Sequence, residues 1–292
     1  MTLPTNTGIE EPLVHRKPRD DELDVFGLTH PGKVRPTNQD HFLFSTLHKT
    51  LRVRTTSLAN PEILEGPSER LASLFMVADG VGGSEDGEAA SRTTVETMAT
   101  YAMHTMQCYY GANATDHQSF LKELEQAAEA CHEMVLARAK ERQIRKMATT
   151  LTLGLAVWPK LYLLHVGDSR AYQFREGTLT QLTKDQTMAQ ALVDAGALKM
   201  ADLERSPLRN ILSSAIGGTS QPVVTHHDLQ AGDVIMLCSD GLTKHVTDAR
   251  IEARFREMTS SEQVCRQLVE DALDGGGSDN VTVLISRTAF ND

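Results

Sequence analysis

Residues 75–91 read FMVADGVGGSEDGEAAS. An apolar run stops at Asp79, glycines follow at 80, 82 and 83, and the acids Glu85, Asp86 and Glu88 come next. The run has the unbroken hydrophobicity of a strand covered on both faces. The glycines are turn chemistry. A carboxylate at such a junction serves either the turn alone or something held there. A single Asp-Gly after a strand is a turn far more often than a metal site, so the rest of the chain has to decide.

The bulk composition narrows the choice. The 292 residues, 40% of them hydrophobic, suffice for one large domain with a buried core. Aromatics make up 5%, so that core rests on Leu, Val, Ile, Ala and Met. A formal net charge of −10 argues against a nucleic-acid partner, which needs a basic face. Phosphorylated ligands stay open, because bound cations reverse the local field of an acidic site. Cys108, Cys131, Cys238 and Cys265 have no zinc-like spacing and read as reduced core residues. No apolar run approaches the ~18–20 residues of a membrane span. The stretch MTLPTNTGIEEPLVHRKPRDD has no signal core. The expectation is a soluble, cytoplasmic monomer with no membrane or nucleic-acid partner. Its parts are a flexible arm over 1–22, one domain over 23–288 and a tail over 289–292.

Strand signals recur along that domain. They fall at 24–30, 41–45, 74–78, 151–158, 161–167, 233–239 and 280–286. Pro159-Lys160 separates two of these runs as a hairpin turn does, and Glu176-Gly177 likewise separates AYQF from TLTQL. Helical patterns cover 85–106, 117–144 and 261–273. The second carries the stripe Phe120, Leu124, Ala127, Cys131 and Val135, and the third opens with Ser260 and Gln263 as a capping box. Strands in hairpins with grouped helices predict an α+β fold of antiparallel sheets with helices on their outer faces. Residues 187–220 break the pattern and read as an excursion, and 47–73 as a long loop open to either surface or specificity roles.

Asp79 then acquires company. Asp168 follows the run LYLLHVG, and Asp240 follows DVIMLCS. Asp40 and Asp279 precede strands. In an antiparallel sheet one strand's end lies beside its neighbour's start, so all five acids can share one rim. They would repel one another strongly without cations among them. Oxygen ligands without His or Cys suit Mg²⁺, Mn²⁺ or Ca²⁺. Two such ions about 3.5–4 Å apart clamp a phosphoryl group. Arg35, five residues before Asp40, offers a guanidinium fork to phosphate oxygens, or is an exposed loop residue.

Six segments in order carry a resemblance: HPGKVRPTNQDHFLF, FMVADGVGGSEDGEAAS, MATTLTLGLAV, LYLLHVGDSRAYQFREGTLTQLTKDQT, DVIMLCSDGLTKHVTD and GGGSDNVTVLI. Over roughly residues 24–287 the chain resembles the metal-dependent Ser/Thr protein phosphatases of the protein phosphatase 2C type, in their compact bacterial form. The resemblance implies a four-layer sandwich, two antiparallel sheets between helix layers, with a flap over 187–220. It implies hydrolysis of phosphoserine and phosphothreonine by a metal-bridging hydroxide, with two Mn²⁺ or Mg²⁺ ions and a third. It implies phosphoprotein partners, including a cognate Ser/Thr kinase. Carried over by position, Asp79 bridges the two metals, the Gly80 carbonyl binds one, and Asp240 and Asp279 complete a shell. Asp40 acts mainly through bound water, Asp168 with Asp240 holds the third ion, Arg35 binds phosphate, and Asn280 supports the ligands from behind. Two positions depart from the pattern: Gln186 stands where relatives usually carry His, and Val81 where eukaryotic relatives often do, a departure shared with bacterial members. The competing class is a catalytically silent phosphoprotein-binding module on the same fold, which would normally have lost metal carboxylates.

Overall fold

Along the run 74–78, successive side chains point to opposite sides and meet different neighbours. Leu74 and Met76 pack with Phe120, Leu124 and Leu153 in one hydrophobic cluster. Phe75 and Val77 pack with Leu163, Ile235 and Leu284 in another. One strand thus borders two separate cores, which explains why its sequence is apolar throughout.

The structure, a computed structural model, describes residues 16–49, 69–82, 85–104, 117–144 and 146–289. The strands are β1 (Leu23–His30), β2 (Asp40–Lys49), β3 (Glu69–Val81), β4 (Ala148–Thr149), β5 (Leu151–Val157), β6 (Lys160–Val166), β7 (Arg170–Arg175), β8 (Thr178–Gln181), β9 (Val223–Asp228), β10 (Val234–Cys238) and β11 (Val281–Thr288). One sheet runs β1-β11-β10-β7-β8 and the other β2-β3-β5-β6-β9, with β4 paired to the far end of β3. All these pairings are antiparallel. The helices are α1 (Glu85–His104), α2 (His117–Glu141), α3 (Met188–Asp194), α4 (Asp240–Thr243), α5 (Asp248–Arg256) and α6 (Ser261–Asp274).

Three hydrophobic clusters separate four layers. Helices α1 and α2 cover the second sheet through Met98, Phe120 and Leu124. Helices α4, α5 and α6 cover the first through Leu242, Phe255 and Leu268. The third cluster fills the space between the sheets. The expected α+β sandwich is what the chain forms. The hairpins around Pro159 and around Glu176-Gly177 are present as β5–β6 and β7–β8. Cys131, Cys238 and Cys265 are buried free thiols; Cys108 lies outside the described residues.

Some boundaries move. The strand expected to stop at Ala78 continues to Val81, because Asp79 pairs with Asp40 while Gly80 and Val81 pair with β4. Ser260 caps α6 as expected, accepting from Gln263 N at 3.1 Å, but the Gln263 side chain reaches back to Thr259 N instead of the cap residue. Of the arm over 1–22, residues 1–15 lie outside the described residues. The segment after them packs on the domain: Arg16 and Arg19 bind the buried Glu22, and Arg70 binds Asp20 and the Pro18 carbonyl. Most of the loop over 47–73 also lies outside the described residues. Among the described residues no helix is long and apolar enough to cross a membrane.

Candidate active site

The register of β2 against β3 sets Asp40 directly opposite Asp79. Like charges facing each other across a strand pair are destabilising, so this pairing has to be compensated. Part of the compensation comes from the other sheet. Ser239, between β10 and α4, and Thr282, in β11, each donate a hydroxyl to Asp40 Oδ2 at 2.7 Å. These two bonds tie the sheets together at the rim, and Asp40 is 3% exposed. Its Oδ1 and that of Asp240 are buried without a partner. A buried carboxylate oxygen left unsatisfied is costly unless something absent from the chain itself completes it.

The other carboxylates arrive from neighbouring ends. Asp240 opens α4 just past β10, and Asp279 lies two residues before β11, the strand paired with β10. Asp168 follows β6 through Gly167, whose φ of +111° is left-handed territory; a Cβ there would come within 2.6 Å of Thr150. Asp79 and Asp168 share a support. Asp79 N donates to Thr150 Oγ1 at 3.0 Å, and Thr150 Oγ1 is 2.7 Å from the Ser169 hydroxyl. Gly80 is required by contact: a Cβ would lie 2.3 Å from the Gly87 carbonyl oxygen in α1.

Crowding shows in the proton affinities. Burial raises the Asp40 carboxyl to about 6, against the Ser239 and Thr282 hydroxyls. Asp79 is pushed well above the ordinary range, first by burial and then by Asp40, Asp240, Asp168 and Asp279. Asp168 is raised by burial, Asp240 and Asp185. Asp240 is raised by burial, with Lys244 opposing. Asp279 alone of the five is lowered: burial lifts it, but hydrogen bonds from Arg35 and Lys244 outweigh that.

Two cations explain the exception. Arg35 Nε and Nη2 donate to the two Asp279 oxygens at 2.8 and 3.0 Å. Lys244 Nζ stands 2.5 Å from Asp240 and 2.8 Å from Asp279. With those side chains engaged, no three His, Cys, Asp or Glu groups among the described residues are gathered closely enough to hold one ion as they stand. The donor set nevertheless fits a hard divalent cation: oxygen only, concentrated at one rim, with unpartnered buried oxygens on Asp40 and Asp240.

Asn280, expected behind the ligands, staples the loop that carries Arg35. It accepts from Gln39 N and donates to the Pro31 and Thr37 carbonyls, each at 2.9 Å. Gln186 clamps the Asp168 turn, accepting from Gly167 N at 2.9 Å. Ser239, Thr282 and Lys244 were not singled out as site residues by sequence. Lys244 stands four residues after Asp240, a spacing that brings side chains together on one helical turn. Thr282 is a lone hydroxyl between Val281 and Val283 in a strand, so it faces away from the apolar side they share. Beside the rim lies a groove of about 1090 Å³, lined by Asp168, Asp240, Asp279 and Lys244 and, from the excursion, by Glu204 and Arg209.

This four-layer sandwich with an acidic rim between its sheets has known relatives. Residues 67–274 match the protein phosphatase 2C family. The chain belongs to that family. It is 37% identical over 223 residues to the serine/threonine protein phosphatase PstP of Mycobacterium tuberculosis, covering 76% of this chain and 41% of that protein. The chain thus spans about two-fifths of that relative's length. The crystal structure of the M. tuberculosis phosphatase superposes with a TM-score of 0.72 at 31% identity, over 92% of this chain and 99% of the other. A PstP catalytic domain in complex with two manganese ions gives 0.68 at 30% identity, again over 92% and 99%.

Proposed function

We propose that this chain is a metal-dependent protein phosphatase that hydrolyses phosphoserine and phosphothreonine, acting in the cytoplasm as a monomer to oppose a Ser/Thr kinase. The observation that carries the reading is the rim itself. Asp40 faces Asp79 in register, and two buried carboxylate oxygens lack a hydrogen-bond partner among the described residues. Its membership of a family with a manganese-bound member supports Mn²⁺ or Mg²⁺ as the missing partner.

In this reading Asp79, the Gly80 carbonyl, Asp240 and Asp279 would hold two ions, and Asp168 with Asp240 would hold a third. Bound divalent cations acidify water and neutralise charge on phosphoryl oxygens. The chain's own groups do the rest. Asp40 stands opposite Asp79, fixed by Ser239 and Thr282, and its Oδ1, without a partner among the described residues, would accept from water at the rim. Arg35 lines the groove, and once its fork is released from Asp279 it would serve the equatorial phosphoryl oxygens, on a loop kept in place by Asn280. Val81 carries no titratable group, so the proton for the departing alkoxide would come from elsewhere, and we assign it to a water at the rim. The excursion over 187–220 walls the groove and would select among phosphopeptides.

The test is hydrolysis of p-nitrophenyl phosphate and a phosphothreonine peptide with Mn²⁺. We expect activity that excess EDTA abolishes and that Asp79→Asn lowers by orders of magnitude. Activity persisting in EDTA, or absent at every metal concentration, refutes the reading; the second outcome with phosphopeptide binding intact points to a silent binding module.

A further inference from the structure

Lys244 holds a place that the proposed chemistry needs for something else. Its backbone N–H donates to the Asp240 carbonyl at 2.8 Å, which fixes the residue at the end of α4. Its side chain folds back so that Nζ lies between Asp240, from α4, and Asp279, from the loop before β11. These two carboxylates belong to different elements, and the ammonium links them. The side chain is 25% exposed, so it is not a solvated surface lysine. Arg35 also binds Asp279 but reaches only that carboxylate and is 41% exposed.

We propose that Lys244 is a tethered counter-ion of the metal site: it neutralises the Asp240–Asp279 pair when no metal is there, and an entering divalent ion has to displace it. The inference rests on the metal-dependent reading above. A cation covalently attached beside two carboxylates stabilises the metal-free rim and repels a second cation seeking the same oxygens. An ammonium suits this part because it is a point charge on a flexible four-carbon stem, free to swing into the groove that Lys244 already lines. The consequence is a site tuned to weaker metal binding, whose loading follows the free concentration of the ion over a range that a fully acidic rim would have saturated.

The test is calorimetric titration of Mn²⁺ into the chelator-stripped full chain, beside melting curves of the stripped and loaded protein. Lys244→Met should bind Mn²⁺ about tenfold more tightly than the native chain, since one neighbouring charge typically moves a site's cation affinity by a decade or more. Its stripped form should melt lower, so its metal-induced rise in Tm should be larger. Lys244→Arg, which keeps the charge, should stay near native affinity. Unchanged or weaker Mn²⁺ binding by Lys244→Met overturns the proposal, as does an Arg variant that behaves like the Met one. Absence of Mn²⁺ binding by the native chain overturns both this and the metal-dependent reading, whereas binding with equal affinity overturns this one alone. If Lys244→Met does not fold without metal, Lys244→Gln carries the same expectations.

Discussion

Asp40 shows how much one carboxylate is asked to do. One of its oxygens receives two hydroxyls from the opposite sheet, while the other receives none. Thr282 extends the chain, lying 2.7 Å from the Thr29 hydroxyl, which in turn accepts from Asn38 at 2.8 Å. Thr282→Val keeps the shape and removes the donor. It should cost about 1–3 kcal/mol, the usual penalty for stripping a hydrogen bond from a buried charged group. Urea unfolding of the metal-free protein measures this; a change within error would mean the hydroxyl does not support Asp40.

At the scale of elements, α5 and α6 are joined through one acid. Asp271 of α6 receives Nε and Nη2 of both Arg254 and Arg250 from α5, at 2.8–3.0 Å. The Arg254 hydrogen bond leads in holding its carboxyl down to about 2. The unfolded chain takes up that proton near pH 4, by about the ordinary Asp value, and the folded one only near 2. Stability from this clamp is therefore complete above pH 4 and is lost as pH falls towards 2. Asp271→Asn should raise the midpoint of acid unfolding and flatten the decline between those values, measured by circular dichroism. The sequence made the elements legible wherever composition alone decides them, as in the apolar β3 run or the α2 stripe from Phe120 to Val135. It also made the rim legible, because Asp and Gly recur at strand ends. It did not show that Asp79 lies within its strand, since that depends on pairing with Asp40 and with β4, two partners distant in sequence. Nor did it show Lys244 between Asp240 and Asp279, because Asp279 belongs to another element. Charge partners across elements are set by packing, which no local pattern encodes.

For the whole molecule, the order of the first sheet matters most. Strand β11 lies between β1 and β10, and β1 has no other neighbour in its sheet. Removing the residues after Ser278 takes away an interior strand of that sheet, the Asp279 carboxylate and the hydroxyl of Thr282 together. The shortened chain should show no cooperative thermal transition, with or without Mn²⁺; a sharp melt by calorimetry would contradict this. The same order has a meaning for biosynthesis. Of the described strands the ribosome makes β1 first and β11 last, so an early edge waits for its partner until all the others have emerged. The acidic rim has no complete form on a nascent chain. Any chemistry that needs the whole rim has to wait until β11 has been translated, and a nascent chain that stops short of it holds only part of the carboxylate set.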